Sequence, residues 1–237
     1  MVVYSVIIPA YNEQVWLTRS LPALREAMEG LPWEGEVIVV DNNSTDQTAQ
    51  VAREHGARVV FEPRNQISRA RNAGARVARG RYLVFLDADT YLSRQLLQTA
   101  LRNLDERTCC GGGALVDFDQ TFPRGVRWML PLWNGLAVRF GLAAGCFVYC
   151  LREAYDATGG FSERVFASEE IWFSRSLQKW GRSRGLPFQV IDRPRILTSA
   201  RKIQVRPVRN LLAFFFVLVF PPAIYFRKLS YIWYRRR

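Results

Sequence analysis

Two aspartates that follow an apolar run are well suited to bind a metal ion and phosphate. Tyr82–Leu86 is typical of a strand buried on both faces of a parallel sheet, and Asp87-Ala88-Asp89 follows it directly. Because strand side chains alternate, Asp87 and Asp89 are predicted to point the same way at the carboxyl end, where open α/β sheets bind ligands. A hard cation such as Mg²⁺ would relieve the repulsion between the carboxylates and take phosphate oxygens as further ligands.

An isolated Asp-x-Asp is more often a solvated turn than a metal site, and acidic residues elsewhere are what strengthen this interpretation. Asp41 closes a second β-branched run, and Glu169-Glu170 fall in the first turn of a helix predicted over Ser168–Trp180. Acids in a first turn also complement the helix dipole without any catalytic role. The sequence therefore predicts several carboxylates near ligand-binding edges and leaves their individual roles open.

The composition predicts a packed protein with an anionic partner. Hydrophobic residues are 49% and charged residues 23% of the 237, so a sizeable core is expected. The net charge of +12 indicates nucleic acid, a phosphorylated substrate or acidic lipid as partner. With one histidine and four cysteines in no Cys-x-x-Cys pair, a zinc site is not expected. The cysteines are predicted to be core thiols of a reducing compartment, with Cys146 and Cys150 spaced to share one helical face.

The first half of the chain alternates between strand and helix patterns. Strands are predicted over Val2–Ile8 (stopped by Pro9), Glu36–Val40, Ala57–Phe61 and Arg81–Leu86. Helices are predicted over Gln14–Met28 and Ser68–Arg79, after Asn42 where Ser44 and Gln47 fit a capping box, and around Leu96, Leu97, Ala100, Leu101 and Leu104. This order predicts a parallel sheet with right-handed crossovers. Without a glycine-rich phosphate loop, any nucleotide must be held by acids and arginines.

The second half is less regular. Gly111-Gly112-Gly113 is predicted to interrupt the pattern before a strand at Ala114–Phe118 on the far side of the sheet. Gly125–Tyr149 is unusually apolar, and fits a buried helix and a surface for lipid or an apolar substrate equally well.

The last part of the chain predicts a membrane anchor. Leu211–Phe226 is apolar, interrupted by Pro221-Pro222, and flanked by arginines, lysine and aromatic residues. Its sixteen residues fall short of the ~20 that a span needs, so a re-entrant or interfacial helical hairpin is predicted. A hydrophobic tail docked on the protein itself is the alternative.

Five motifs together carry a resemblance that none of them carries alone. They are SVIIPAYNE (Ser5–Glu13), VIVVDNNSTDQT (Val37–Thr48), SRARNAG (Ser68–Gly74), FLDADT and GGFSERVFASEEIWFSRSLQKWG (Gly159–Gly181). Their order and spacing over Val2–Arg201 resemble the family 2 glycosyltransferases. The resemblance implies the α/β GT-A fold, a Rossmann-like mixed, mainly parallel sheet flanked by helices, here followed by the hydrophobic membrane-associating helical segment.

The resemblance also implies roles for the residues that match. The nucleotide-sugar site would comprise Pro9, Ala10, Tyr11, Glu13, Asp41, Asn43, Arg71, Asp87, Ala88, Asp89 and Arg201. In it Asp41 would accept a hydrogen bond from the base, usually uracil, and Arg71 would hold the base or phosphate side. Asp87 would lie near the ribose, Asp89 would bind Mg²⁺ or Mn²⁺ with Asp87 as a second candidate ligand, and Arg201 would cover the diphosphate.

The same resemblance places the catalytic base at Glu170, where the family commonly has aspartate. The carboxylate is kept but is one methylene longer, so Glu169 and Glu170 are both candidates. A base activates a poor alcohol nucleophile, and attack opposite the leaving group inverts the anomeric carbon.

The expected protein is therefore a metal-dependent, inverting hexosyltransferase at the cytoplasmic face of the cell membrane. Residues 1–203 would form the transferase domain, with a nucleotide-sugar half (1–107) and an acceptor half (108–203), and 204–237 the membrane-associating tail. Expected partners are a nucleotide-sugar donor, probably with UDP, a hydroxyl acceptor on a glycan or lipid-linked molecule, and anionic lipid, but not nucleic acid. Alternatives are transfer to polyprenyl phosphate, a sugar-nucleotide pyrophosphorylase, and a basic module that binds membranes or other anions.

Overall fold

An eight-stranded mixed sheet flanked by helices organises the computed structural model, which describes residues 1–120 and 129–201. The strands are β1 (Tyr4–Ala10), β2 (Gly35–Asp41), β3 (Arg58–Phe61), β4 (Tyr82–Leu86), β5 (Thr90–Tyr91), β6 (Gly111–Phe118), β7 (Phe147–Leu151) and β8 (Phe188–Thr198). The helices are α1 (Gln14–Met28), α2 (Thr48–Glu54), α3 (Ile67–Val77), α4 (Arg94–Asp105), α5 (Met129–Phe140), α6 (Arg152–Thr158) and α7 (Glu169–Arg182).

The sheet has a parallel half and a mixed half. Its strand order is β3-β2-β1-β4-β7-β6-β8-β5, and the first four strands are parallel. Strand β7 runs antiparallel to both β4 and β6, β8 is parallel to β6, and β5 is antiparallel to β8. The predicted Rossmann-like mixed sheet is confirmed, and the carboxyl ends of β2, β1 and β4 lie side by side.

Periodic apolar residues form the core as predicted. Strand β4 is buried at every residue, so both of its faces are covered. Helix α1 buries Leu17, Leu21 and Leu24, and α4 buries the five residues that marked it in the sequence. These strands and helices have the predicted positions to within about two residues, which is the usual uncertainty of an element boundary.

Two predicted element boundaries near the first loops are wrong. Strand β1 continues through Pro9 to Ala10, and both residues remain in register with β2. Pairing with β4 ends at Ile7, so a proline can be accommodated on that unpaired side. Helix α2 begins at Thr48 rather than at a Ser44 cap, because the Ser44 hydroxyl accepts a hydrogen bond from the Asn12 N–H instead. The segment after β2 is thereby kept as a loop.

The glycine run is part of a strand rather than an interruption. Gly111–Gly113 open β6, which lies between β7 and β8 inside the sheet. A Cβ on Gly112 would come within 1.9 Å of the Gln189 carbonyl oxygen, so the close approach of β8 requires glycine here. The four cysteines are free and buried as predicted, but Cys150 lies in β7 and Cys146 just before it, not on one helical face.

The late helix begins one residue after its predicted start. Helix α7 starts at Glu169, and Ser168 has a positive φ of 58° and no side-chain capping bond. Gly181 lies inside the helix, where a Cβ would come within 2.0 Å of the Leu186 carbonyl oxygen. Glu169 and Glu170 occupy the first turn, as predicted.

The apolar middle segment forms a helix with one exposed side. In α5, Asn134 and Ala137 are buried, whereas Leu132, Leu136, Val138 and Phe140 are exposed. Among the residues that the structure describes, no helix has the length and apolar character needed to cross a bilayer. The predicted anchor at Leu211–Phe226 lies outside the described residues, as does the tail 204–237.

Candidate active site

The loops after β1 and β2 are bonded to each other by side chains. The Asn12 N–H donates to Ser44 Oγ at 3.0 Å, and the Thr45 N–H donates to Asn12 Oδ1 at 2.8 Å. Asp41, the last residue of β2, accepts from the Ser44 N–H at 2.9 Å. Asn12 and Asn43 both have a positive φ, which asparagine tolerates better than most residues. The two loops are thus preformed next to each other.

The predicted nucleotide-sugar residues of the first half gather at one edge of the sheet. Apart from Arg71 on α3, they lie at the ends of three neighbouring strands or just after them: Pro9, Ala10, Tyr11 and Glu13 at β1, Asp41 and Asn43 at β2, and Asp87, Ala88 and Asp89 at β4. This is the edge where open α/β sheets bind ligands.

The Asp-x-Asp segment is a turn, and its carboxylates contact different partners. Strand β4 ends at Leu86, and the Thr90 N–H donates to the Asp87 carbonyl oxygen at 3.1 Å. The alternation of strand side chains therefore does not continue through Asp87 and Asp89. Asp87 contacts a cation from α3, whereas Asp89 contacts one that follows β8, as described next.

Arg71 on α3 is the centre of a buried ionic cluster. It is 1% exposed, and its guanidinium donates to Glu169 Oε1 at 2.6 Å, to Asp87 Oδ1 at 3.1 Å and to the Gly145 carbonyl oxygen at 2.6 Å. The Phe161 ring lies 5.0 Å from the guanidinium carbon. Burial lowers the pKa of Arg71, but Glu169 and Asp87 outweigh it and the net pKa is raised. We call Arg71, Glu169, Asp87 and Glu170 the Arg71 cluster.

Glu170 completes this cluster at the start of α7. A Cβ on Gly145 would come within 3.4 Å of Glu170 Cδ and 3.6 Å of Arg71 Nη2, so the three groups are neighbours. Burial, followed by the negative charge of Glu169, raises the pKa of Glu170 to about 8, and Arg71 opposes this rise. A carboxyl with such a pKa can gain or lose a proton near neutral pH.

A second ionic cluster forms where the chain leaves β8. Arg201 Nε donates to Asp89 Oδ2 at 2.8 Å, and its Nη2 donates to Glu13. The Trp16 ring lies 5.0 Å from the guanidinium carbon. The Arg201 side chain is 30% exposed, whereas that of Asp89 is 5% exposed. We call Arg201, Asp89 and Glu13 the Arg201 cluster.

The Asp-x-Asp turn offers one or two carboxylates to a metal ion rather than a complete set of protein ligands. Within residues 1–120 and 129–201, no three or more His, Cys, Asp or Glu side chains are placed to hold a metal ion. Magnesium and manganese at diphosphates commonly take one or two carboxylates and complete their shell with phosphate oxygens and water. Asp89 and Asp87 fit that donor set, provided that Arg201 gives up its hold on Asp89.

Sequence reasoning missed three residues that shape this site. Gly145 supplies a carbonyl to Arg71, and Trp16 supplies the ring beside Arg201. Asn72, next to Arg71, accepts from the Tyr155 hydroxyl at 2.8 Å and donates to the Phe161 carbonyl oxygen at 2.9 Å. Asn72 lies within the SRARNAG motif, and Trp16 lies one helical turn after Glu13. Gly145 gave no signal in the sequence.

Comparisons with known proteins point in one direction. Residues 5–159 match the sequence model of the family described as "Glycosyl transferase family 2". The chain is 32% identical over 114 residues to poly(ribitol-phosphate) beta-N-acetylglucosaminyltransferase TarS of Staphylococcus aureus. That similarity covers 45% of this chain and 19% of TarS, so the chain spans about a fifth of this relative's length.

Solved structures resemble the fold over most of the chain. S. aureus TarS 1-349 in complex with UDP-GlcNAc has a TM-score of 0.65 at 20% identity, over 91% of this chain and 66% of that one. The mannosyltransferase PcManGT from Pyrobaculum calidifontis, in complex with GDP-Man and Mn²⁺, has a TM-score of 0.64 at 23% identity. That likeness covers 83% of this chain and 56% of PcManGT. At these identities the likeness establishes a shared fold.

Proposed function

The chain belongs to glycosyl transferase family 2, and from this premise we propose that it transfers a hexose from a nucleotide-diphospho-sugar to a hydroxyl acceptor, inverting the anomeric carbon. We favour a UDP-sugar as donor. The structures with similar folds include one bound to UDP-GlcNAc and one bound to GDP-Man, which supports a nucleotide sugar in general.

The observation that carries this proposal is the Arg71 cluster at the ligand-binding edge of the sheet. Four ionisable side chains from α3, α7 and the end of β4 meet there, although Arg71 and Glu169 are 98 residues apart. Glu169 is committed to Arg71 by an ion pair of 2.6 Å in which both side chains are almost fully buried. Glu170 has no comparable ion pair in the described structure, so we assign the base to Glu170 and the positioning of Arg71 to Glu169.

In the proposed reaction, the acceptor oxygen bonds to the anomeric carbon as the bond from that carbon to the diphosphate breaks. Glu170 takes the hydroxyl proton as this oxygen attacks, because an alcohol is a poor nucleophile until its proton is removed. Arg71 holds Asp87 and Glu169 in place, so the base keeps its position next to the donor. The attack comes from the face opposite the diphosphate and inverts the anomeric carbon.

On the donor side, Arg201 and the Asp-x-Asp turn would bind the diphosphate. Arg201 is the cation that can move from Asp89 and Glu13 to phosphate oxygens, because its side chain is part-exposed. Asp89, with Asp87, would hold Mg²⁺ or Mn²⁺, which supplies positive charge for the leaving diphosphate. Asp41, Tyr11 and the other loop residues after β1 and β2 would contact the nucleoside.

We further propose that the enzyme acts at the cytoplasmic face of the membrane on a glycan or lipid-linked hydroxyl. The basic and aromatic flanks of Leu211–Phe226 support association with anionic lipid. A carboxylate in the position of the base favours a hydroxyl over a polyprenyl phosphate, because a phosphate acceptor is already ionised and needs no base.

Substitution of the two glutamates tests this assignment. We expect Glu170→Gln to lower the rate of sugar transfer from UDP-sugars by at least ~100-fold, the lower range for general base catalysis. Glu169→Gln, the matched neighbour, is expected to lower it less. As a control, calorimetry measures the affinity of both variants for UDP in the presence of Mn²⁺, which should be unchanged if the donor site is intact. If neither substitution reduces the rate by that factor, the assignment of the base is wrong.

A further inference from the structure

The exposed side of α7 combines an aromatic residue with three cations. Trp172, Arg175, Lys179 and Arg182 are all exposed, and at 100° per residue they fall within roughly 80° of the helix circumference. Trp172 is 43% exposed, which is unusual for so large an aromatic side chain. The buried residues Phe173 and Leu177 lie on the other side and fix the helix to the core.

Helix α5 presents an exposed apolar stripe next to this face. Leu132, Leu136, Arg139 and Phe140 fall within roughly 100° of its circumference, and the buried Asn134 and Ala137 lie opposite. Leu132 is 49% and Phe140 57% exposed. An exposed stripe of large apolar residues is typical of an interaction surface.

The two helices meet at a basic cavity of about 430 Å³. Its lining includes Arg139, Phe140, Leu142, Arg175, Lys179 and Arg182. Gln178 on α7 donates a hydrogen bond to the Phe140 carbonyl oxygen at 3.0 Å, which joins the end of α5 to α7. We call the exposed sides of α5 and α7 with this cavity the α5–α7 face.

The cations of this face lack acidic partners in the part of the chain that the structure describes. No ion pair there joins Arg139, Arg175, Lys179 or Arg182 to a carboxylate. By contrast, Arg79, Arg81, Arg107 and Arg195 elsewhere on the surface each pair with an acid. Four unpaired cations beside apolar side chains form a surface that attracts negative charge and also buries hydrocarbon.

We propose that the α5–α7 face docks on the surface of a bilayer that contains anionic lipids. Exposed Leu, Phe and Trp would enter the boundary between headgroups and acyl chains, while Arg and Lys would contact lipid phosphates. This surface is distinct from the sequence-predicted anchor at Leu211–Phe226. It also does not depend on the proposed sugar transfer.

Charge disfavours two other occupants of the face. A second copy of this chain that used the same face would bring like charges together, as a two-fold interface pairs a patch with itself. The chain after residue 201 contains arginines and lysines but no aspartate or glutamate, so it offers no negative charge to the cations of the cavity. An anionic bilayer complements both the charge and the apolar stripe.

Docking by this face would set the position of the catalytic carboxylates relative to the lipid. Trp172 follows Glu170 by two residues in the first turns of α7. At 100° per residue, Glu170 lies on the side of α7 opposite Trp172, so the proposed base would face the cleft at about one helix diameter (~10 Å) from the membrane surface.

A local fluorescent probe on the full-length protein separates this face from other membrane contacts. The four native cysteines are buried, so an environment-sensitive fluorophore can be attached selectively to an exposed Leu136→Cys variant. We expect its emission to shift to the blue with vesicles of phosphatidylglycerol and phosphatidylcholine, but not with phosphatidylcholine alone. The same label on Gln95→Cys, exposed on α4, is expected to show no shift.

Charge removal then tests the cations. In the labelled protein, we replace all three cations together as Arg175→Gln/Lys179→Gln/Arg182→Gln. The lipid concentration that gives half of the emission shift is expected to rise about a hundredfold, since each cation near an anionic surface contributes about fivefold to the affinity. The control Arg19→Gln/Arg53→Gln/Arg102→Gln removes the same charge from exposed positions of α1, α2 and α4 and is expected to leave the shift nearly unchanged.

Several results would overturn the proposal. If the protein sediments with anionic vesicles but the emission of the Leu136→Cys probe does not shift, another segment alone holds the protein on the membrane. A shift that inorganic phosphate reproduces without vesicles would identify a soluble anion as the ligand. A shift that grows with protein concentration in the absence of lipid would identify a second copy of the chain. Sugar transfer to a soluble acceptor is expected to persist in the triple variant, so failure of docking and failure of the proposed reaction are distinguishable.

Discussion

The two aspartates of the Asp-x-Asp turn are held by two arginines in contrasting settings. Arg71, which holds Asp87, is 1% exposed and is fixed by two carboxylates and a backbone carbonyl group. Arg201, which holds Asp89, is 30% exposed and lies against the ring of Trp16. The first arginine belongs to the core of the protein, whereas the second lies at the rim of the proposed donor site.

The difference indicates which part of the site is fixed and which can exchange partners. Buried ion pairs are costly to break because each partner left behind is an uncompensated charge in a poor solvent for ions. A part-exposed arginine can trade a carboxylate for a phosphate at little cost, because water and ligand can both replace its partner. The Arg71 cluster therefore serves as a rigid support and the Arg201 cluster as the part that responds to the donor.

The largest expected effect is on stability. Arg71→Met leaves Glu169 and Asp87 without their cation, and we expect it to lower the free energy of unfolding by ~3–5 kcal/mol. Arg201→Met is the matched comparison and is expected to cost only ~1–3 kcal/mol, because Arg201 is itself 30% exposed and water can take its place beside Asp89 and Glu13. Urea denaturation of the two variants measures both values. Equal losses would contradict the distinction between a rigid and an exchangeable cluster.

The next effect concerns donor binding. Because hydrogen bonds to charged groups contribute ~1.5–3 kcal/mol, Arg201→Met is expected to weaken UDP binding in the presence of Mn²⁺ by roughly tenfold to a hundredfold. Arg195→Met, on the exposed side of β8, removes the same charge and is expected to leave the affinity unchanged. Calorimetry of both variants gives the comparison. Unchanged affinity in Arg201→Met would show that this arginine does not reach the diphosphate.

The smallest effect is a shift in the pH profile. Glu170 acts as a base only when deprotonated, and burial and Glu169 raise its pKa to about 8, so kcat/KM is expected to rise with pH up to about that value. Glu169→Gln removes the neighbouring negative charge and lowers the pKa of Glu170, so the rising limb moves to lower pH. A limb that stays in place would show that Glu169 does not influence the base.

The sequence predicts the regular part of this molecule well for physical reasons. The strands and helices of the parallel half follow from local periodicity, as in the five buried residues of α4 and the stripe of α1. The ends of β1, β2 and β4 follow from the same patterns. That these ends line up at one edge is a consequence of parallel pairing, which the alternation of strands and helices already implies.

Predictions failed where distant residues decide the local structure. Ser44 does not cap α2 because the Asn12 N–H, 32 residues away, uses its hydroxyl. Gly112 lies within a strand because β8 passes too close for a side chain. The bonds of Arg71 to Glu169 and of Arg201 to Asp89 join residues 98 and 112 positions apart, and no local pattern encodes such pairs. The motifs indicated these residues but not their partners.

The reversed direction of β7 has a consequence for how this site can diversify. Because β7 runs antiparallel to β4, its amino end meets the carboxyl end of β4, with Phe147 opposite Leu86. The residues just before β7 therefore enter the site from the opposite side, where Cys146 accepts the Asp87 N–H and Gly145 accepts from Arg71. Insertions or replacements in that short segment can reshape the surroundings of Glu170 while the three parallel strand ends stay unaltered, so the two sides of one cleft can evolve separately.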